Sequence, residues 1–315
     1  MKRATKITAL LLAVIMVFTG CATVEQTTVI NSDGSAKVTS VVDVDKEQLD
    51  AAVKKMGYNN PEAYVKSWLV DGYYNDTESG YYEIVTIDGK QYYEIRNVTG
   101  VKAKYLAENV NYALGVSSKG LYITKDTVYG VVDELDYDLE EALGELKPLG
   151  FNNNSLKMKL IFEFPANIVT STGTIDKTNA KKVTFNIGFG KKSTIFATTN
   201  KANTYNSIKK KVDKLNTVKK PVIKSLKVKK VKKKKVTATL KLKKMKDVRY
   251  EIMYSTSKKF HYMKTQYKDT KKTTVTLKNL KKGKKYYVCV RVYKYNYAGK
   301  ELYSKYAKTT IKIKK

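Results

Sequence analysis

Apolar and polar residues alternate with a period of two along most of this chain, so strands dominate its expected structure. Residues 27–31 and 36–44 alternate on either side of Asp33-Gly34, and residues 81–87 and 91–98 on either side of Asp88-Gly89. An Asp-Gly pair between two alternating runs predicts a hairpin, because both residues tolerate the positive φ of the tightest turns. Helical signals interrupt this pattern. Asp45 is placed as an N-cap with Gln48 three residues on, and Leu49, Ala52 and Val53 mark the buried face that follows. Asn60-Pro61 is a second start, with Tyr64, Val65, Trp68 and Leu69 as its stripe. Leu135, Leu139, Leu143 and Leu146 predict an amphipathic helix over 133–146. Strands are expected again at 156–164, 168–172, 182–188 and 193–199. Helices scattered among hairpins, without regular β-α-β alternation, predict an α+β fold with an antiparallel sheet over residues 21–205.

Residues 206–218 are polar and lysine-rich and read as a linker, helical in part. From residue 219 the pattern changes to short strands divided by polar turns: 222–231, 236–243, 248–255, 263–267, 273–277, 286–293 and 309–313. Seven strands in so short a stretch predict an all-β immunoglobulin-like sandwich over residues 219–315. Alternation from Tyr286 points Val288, Val290 and Val292 inward, and Cys289 and Arg291 outward to the exposed or half-covered face.

Charge divides the chain at the same place. Residues 21–200 carry 19 Lys/Arg against 24 Asp/Glu, whereas residues 216–315 carry 34 basic and 4 acidic groups. The whole-chain charge of +32 therefore belongs to the sandwich. Lysine on strand edges guards against strand-to-strand aggregation, and a domain of this charge also attracts anionic lipid or wall polyanion.

The first 21 residues change where such partners are sought. A basic start, a 12-residue apolar run from Ile7 to Phe18, and then Thr19-Gly20-Cys21 describe an exported leader over residues 1–20. The run is too short to span a bilayer, which takes about 20 residues. The cysteine directly after Thr-Gly resembles the bacterial lipobox, with Phe18 standing where leucine is usual. That resemblance implies cleavage before Cys21, a diacylglycerol on its sulfur, and residence on the outer face of a bacterial membrane. Two acyl chains anchor stably where one is marginal. Export makes nucleic acid an unexpected physiological partner, and acylation of Cys21 leaves Cys289 without a disulfide partner.

Two further resemblances rest on longer stretches. Met158-Lys-Leu-Ile-Phe-Glu-Phe-Pro165-Ala-Asn-Ile-Val169, then Thr172-Gly173 and Lys182-Val-Thr-Phe-Asn186, together with the opening pair around Ser32-Asp33-Gly34, resemble the LppM domain of bacterial lipoproteins. The resemblance covers most of residues 24–200 and implies an apolar groove with lipid-like ligands, but assigns no site residue. Leu280-Lys-Lys-Gly283-Lys-Lys-Tyr286-Tyr-Val288, with Tyr250-Glu-Ile252-Met-Tyr254 and Tyr303-Ser-Lys-Tyr306, resembles the fibronectin type III signature. Tyr286 then takes the tyrosine-corner position. The core tryptophan usual on the second strand is absent, and Leu240 or Leu242 is expected to fill its space.

The inventory excludes much chemistry. With His261 the only histidine and two cysteines, a zinc site of three or four Cys/His ligands cannot form within one chain. His261 falls in the turn after the third sandwich strand with no adjacent acid, so a Ser-His-Asp arrangement is not expected. Gly188-Phe-Gly190-Lys191-Lys192-Ser193-Thr194 lacks the spacer of a phosphate loop. The acids of 133–141 lack the ligand order and glycine of a calcium loop and suit a helix start. No catalytic residue, metal or cofactor is expected. The sequence reads as a non-enzymatic, lipid-anchored surface protein. Its α+β domain binds an apolar or lipid ligand, and its basic sandwich serves as spacer and anionic-surface adhesive. The alternative is an envelope hydrolase acting on glycan or lipid, which would need two convergent carboxylates, one with a raised pKa.

Overall fold

The computed structural model describes residues 22–55, 57–66, 80–114, 120–132, 156–188, 192–232 and 235–314. The leader, Cys21, the 133–146 helix, Trp68 and Leu69, and the loop at Gly190 lie outside these residues. The chain is largely β-sheet with a few short helices, and it divides into two compact units, Met1–Val212 and Asp213–Lys315.

In the first unit, β1 (Ala22–Ile30) and β2 (Ala36–Asp45) form the hairpin expected at Asp33-Gly34. Asp45 Oδ1 accepts from the Gln48 amide at 3.1 Å and caps α1 (Lys46–Lys55). Asn60 Oδ1 accepts from the Ala63 amide at 3.0 Å and starts α2 (Pro61–Lys66), with proline at the first helical position. Strands β3 (Gly80–Ile87) and β4 (Lys90–Val101) meet across Asp88 and Gly89, both at positive φ (49° and 77°), as a type I′ turn requires. Next come α3 (Leu106–Leu114), β5 (Tyr122–Ile123), β6 (Thr127–Val132) and β7 (Leu156–Glu163). Four more strands follow: β8 (Thr170–Ser171), β9 (Thr174–Ile175), β10 (Lys182–Gly188) and β11 (Ser193–Thr198).

These strands make a seven-stranded sheet ordered β3-β4-β2-β1-β7-β10-β9 and a four-stranded sheet ordered β5-β6-β11-β8. The expected antiparallel sheet needs correction in one place, because β1 and β7 run parallel at its centre. A parallel neighbour requires a long crossover. Residues 31–155 supply one, and alternation alone does not register strand direction. One face carries Val24, Val42, Met158, Leu160, Phe162, Val183 and Phe185, all buried.

The stretch read as a linker is in large part α4 (Tyr205–Leu215), which packs onto the first unit. Tyr205 meets Tyr129 and Phe196 at ring-centroid distances of 5.5 and 5.6 Å, and Ile208 and Val212 are buried.

The second unit is a sandwich. One sheet, ordered β12-β13-β16, holds β12 (Ile223–Lys232), β13 (Lys235–Leu242) and β16 (Thr274–Leu280). The other is ordered β15-β14-β17-β18, with β19 also on β17. It holds β14 (Arg249–Ser255), β15 (Thr265–Thr270), β17 (Lys285–Tyr295), β18 (Glu301–Tyr303) and β19 (Ala307–Lys312). Val288, Val290 and Val292 point into a core shared with Ala238, Leu240, Leu242, Ile252 and Leu277. Both Leu240 and Leu242 are buried there. The Tyr286 hydroxyl accepts from the Lys281 amide at 3.0 Å, tying β17 to the turn that precedes it.

Candidate functional site

Strand registers sort the charges of the sandwich onto distinct surfaces. Glu251, Arg291 and Cys289 share the outer face of the five-stranded sheet with Arg249, Asp269, Tyr293, Tyr295, Glu301 and Tyr303. Both arginines of the 216–315 segment and three of its four acids are therefore on one face. They neutralise one another. Arg291 lies opposite Glu251 and grips it with a two-pronged bond, Nε to Oε1 at 2.9 Å and Nη2 to Oε2 at 3.0 Å. Its guanidinium stacks 4.0 Å from the Tyr303 ring centre and 5.1 Å from that of Tyr306. Arg249 Nε donates to Asp269 Oδ1 at 2.8 Å, and the Tyr293 hydroxyl donates to Asp269 Oδ2. Burial would raise the Asp269 pKa, but these two hydrogen bonds outweigh it and hold the carboxyl below its usual value. Glu301 accepts from the hydroxyls of Tyr295 (2.8 Å) and Tyr303. The bond to Glu301 pushes the Tyr303 hydroxyl up to about 12. Every carboxylate on this face is already engaged, so the face is a structural lock without a poised acid or base.

Cys289 corrects the sequence reading, because it is buried rather than exposed or half-covered. Alternation assigns it correctly to the outer face, but that face is covered. Cys289 lies between Met253 and Lys308 in register, with Tyr306 close by. Burial pushes the thiol pKa up, which disfavours the nucleophilic thiolate. His261 is exposed, in the loop after β14. Cys21 lies outside the described residues.

The lysines are elsewhere. The start of β13 sits next to the β16–β17 turn, because Val236 pairs with Leu280. The β14–β15 loop meets the same end, since Ser255 pairs with Tyr287, and so does the end of β19, where Lys312 pairs with Lys285. One end of the sandwich therefore gathers exposed Lys281, Lys282, Lys284 and Lys285 from one turn and Lys258, Lys259 and Lys264 from another. No acid of the sandwich is among them. Asp247 and Glu301 belong to the opposite end, and Glu251 and Asp269 are locked on the sheet face. This end therefore carries seven exposed lysines and no acid of the sandwich. The lysine content was visible in the sequence, whereas its segregation from the acids follows only from strand pairing.

The first unit has two polar oddities. Gln26 and Thr28, on the central strand β1, are buried beside Leu160 and Phe162, and Gln26 Nε2 and Thr28 Oγ1 find no hydrogen-bond partner. On the opposite face, Asp43 is raised to about 6, by burial first and then by Glu94 and Glu25. Glu94 itself is held by Arg96 at 2.5 Å. Among the described residues, no group of three His, Cys, Asp or Glu is placed to hold a metal ion, and no helix is long and apolar enough to cross a membrane.

No family model matches the chain, and no curated protein matches it. Solved structures do resemble it. The folded domain of Mycobacterium tuberculosis LppM is 16% identical with a TM-score of 0.33, over 57% of this chain and 90% of that one. A cytokine receptor complex is 12% identical with a TM-score of 0.26, over 60% and 91%. The glycoside hydrolase domain of Endo-D from Streptococcus pneumoniae is 16% identical with a TM-score of 0.21, over 42% of this chain and 18% of that one.

Proposed function

We propose that this is a non-enzymatic, lipid-anchored protein of the outer membrane face, whose basic sandwich holds it against an anionic surface. The observation that carries this reading is the acid-free lysine end. A lysine near an anionic bilayer contributes about 1 kcal/mol within a Debye length of about 8 Å. Seven such side chains on two adjacent turns make a multivalent contact that no carboxylate of the sandwich itself quenches. The leader and Cys21 bring the sandwich to that surface. In the same reading the α+β unit takes an apolar ligand with a polar group, and the unpartnered Gln26 and Thr28 atoms support this. A buried polar atom left unpaired costs about 1–3 kcal/mol, which a ligand oxygen would relieve.

The test is cosedimentation of the chain from residue 22 onward, which carries no lipid, with vesicles. Binding is expected to phosphatidylglycerol-containing vesicles at low salt, and it should fall steeply as salt rises or when Lys281, Lys282, Lys284 and Lys285 become glutamine. Equal binding to purely zwitterionic vesicles would refute the electrostatic reading. The alternative, an envelope hydrolase, has one observation in its favour, the raised Asp43 beside Glu94 and Glu25. It predicts that Asp43→Asn abolishes turnover of purified envelope glycan or lipid. The binding reading predicts no turnover to abolish and unchanged vesicle binding.

A further inference from the structure

Tyr262 and Met263 are 93% and 91% exposed, far beyond Tyr267 at 60%, the next most exposed large hydrophobic among the described residues. They occupy a single 3₁₀ turn, Tyr262–Lys264, in the β14–β15 loop directly before β15. The loop is built to project them. Phe260 takes a left-handed backbone (φ 53°), a conformation that costs a bulky residue of order 1 kcal/mol or more and persists only where surroundings impose it. Its amide donates to the Ser257 carbonyl at 3.2 Å. The His261 carbonyl accepts from the Lys264 amide at 2.9 Å and the Thr265 hydroxyl at 2.8 Å. At the base, the buried Ser255 hydroxyl donates to the Lys264 carbonyl at 2.9 Å and accepts from the Ser257 amide at 3.1 Å. A fixed loop thus holds an apolar pair out in water at the acid-free end, between exposed Lys258 and Lys259 on one side and Lys264 on the other.

Lysines alone suffice to bind a soluble polyanion, which has no apolar interior to receive a methionine. A bilayer has one, beneath its phosphates. Tyrosine suits the headgroup layer, with an apolar ring and a polar tip, and methionine is flexible and adapts to irregular apolar surroundings. We propose that the Tyr262–Met263 pair inserts into the headgroup layer of an anionic bilayer while the flanking lysines contact the lipid phosphates. This rests on the anionic-surface reading above and narrows it from any polyanion to a membrane.

The chain from residue 22 onward, carrying Met263→Cys, provides the test. Cys289 is buried, so a polarity-sensitive dye labels the loop selectively. The dye emission should shift to the blue on vesicles of equal phosphatidylglycerol and phosphatidylcholine, and stay unshifted with dextran sulfate or phosphatidylcholine alone. The pair Tyr262→Ser/Met263→Ser should weaken binding to anionic vesicles about tenfold or more, from the apolar area no longer buried, and leave dextran sulfate binding unchanged. Val222→Ser, an exposed apolar residue at the opposite end, should change neither. Unchanged vesicle affinity in the double variant, or a dye that remains in water on bound protein, overturns the insertion and leaves the anionic-surface reading standing. A wild-type chain that binds neither vesicles nor dextran sulfate overturns both.

Discussion

Replacing Arg291 with methionine tests whether the tyrosine-flanked ion pair locks the outer face of the sandwich. Glu251 is only 6% exposed at its side chain and Arg291 27%. Removing one partner of a fully buried pair costs roughly 3–5 kcal/mol, because the remaining charge is left unpaired in a poor solvent. The partial exposure of Arg291 lets water reach the vacated site and lowers that figure. The lost stacking on Tyr303 returns about 0.5–1 kcal/mol to it. The net expectation is about 2–4 kcal/mol, or a drop of about 10–25 °C in the melting of a unit of this size. Calorimetry on the chain from residue 22 onward measures it, the sandwich transition being the one that Arg291→Met moves. Arg291→Lys keeps the charge but loses the planar fork and should fall between wild type and Arg291→Met. Adding Glu251→Gln to Arg291→Met should recover more than about 1 kcal/mol by removing the orphaned charge. A sandwich transition lowered by less than about 4 °C in Arg291→Met would refute the reasoning.

Other outcomes follow from the same structure. Asp43 titrates at about 6 when folded and near 3.9 when unfolded, so the native state binds the extra proton between these values. Its contribution is favourable at low pH and is lost as pH rises from about 4 to 6. Asp43→Asn should stabilise the first unit by about 1–2 kcal/mol at pH 7, after a discount for its partial exposure, and by little at pH 4. Equal melting-temperature differences at the two pH values would contradict this. Asn111, buried on α3, donates to the carbonyls of Ala107 (2.6 Å) and Leu121 (2.7 Å) and accepts from the Leu121 amide. Asn111→Ala should cost about 2–3 kcal/mol by stranding the Leu121 groups, measurable by urea unfolding. The Cys289 thiol should resist a maleimide in the native protein and react at the rate of a free thiol only in denaturant. Rapid native labelling would contradict its burial.

Much of the fold was legible because local chemistry decides it. Asp88-Gly89 forces a two-residue turn, Asp45 and Asn60 cap helices whatever packs around them, and β-branched residues at 288, 290 and 292 need one buried face. Long-range features were not. The parallel β1–β7 pair depends on the path of the intervening chain, which alternation does not encode. Tyr205, Ile208 and Val212 do carry a helical spacing, but five lysines in 201–214 made the segment read as a linker, helical only in part. Cys289 shows the limit of periodicity, which names a face without saying what covers it. The candidate site was half visible. Lysine abundance is a sequence property, but the lysine end exists because two arginines and tyrosine hydroxyls tie three acids to another face. The exposed Tyr262–Met263 pair was not visible: alternation put Met263 in an expected strand over 263–267, whereas that strand begins at Thr265 and Met263 sits in the 3₁₀ turn before it.

The proposed anchoring to the outer face of the cell membrane underlies both the anionic-surface reading and the inserted loop. The most direct measurement is the intact mass of the chain extracted by detergent from producing cells. The account predicts a polypeptide that begins at Cys21 and carries the added mass of a diacylglycerol. A chain that keeps its first 20 residues, or one with an unmodified Cys21 in the aqueous fraction, would contradict it.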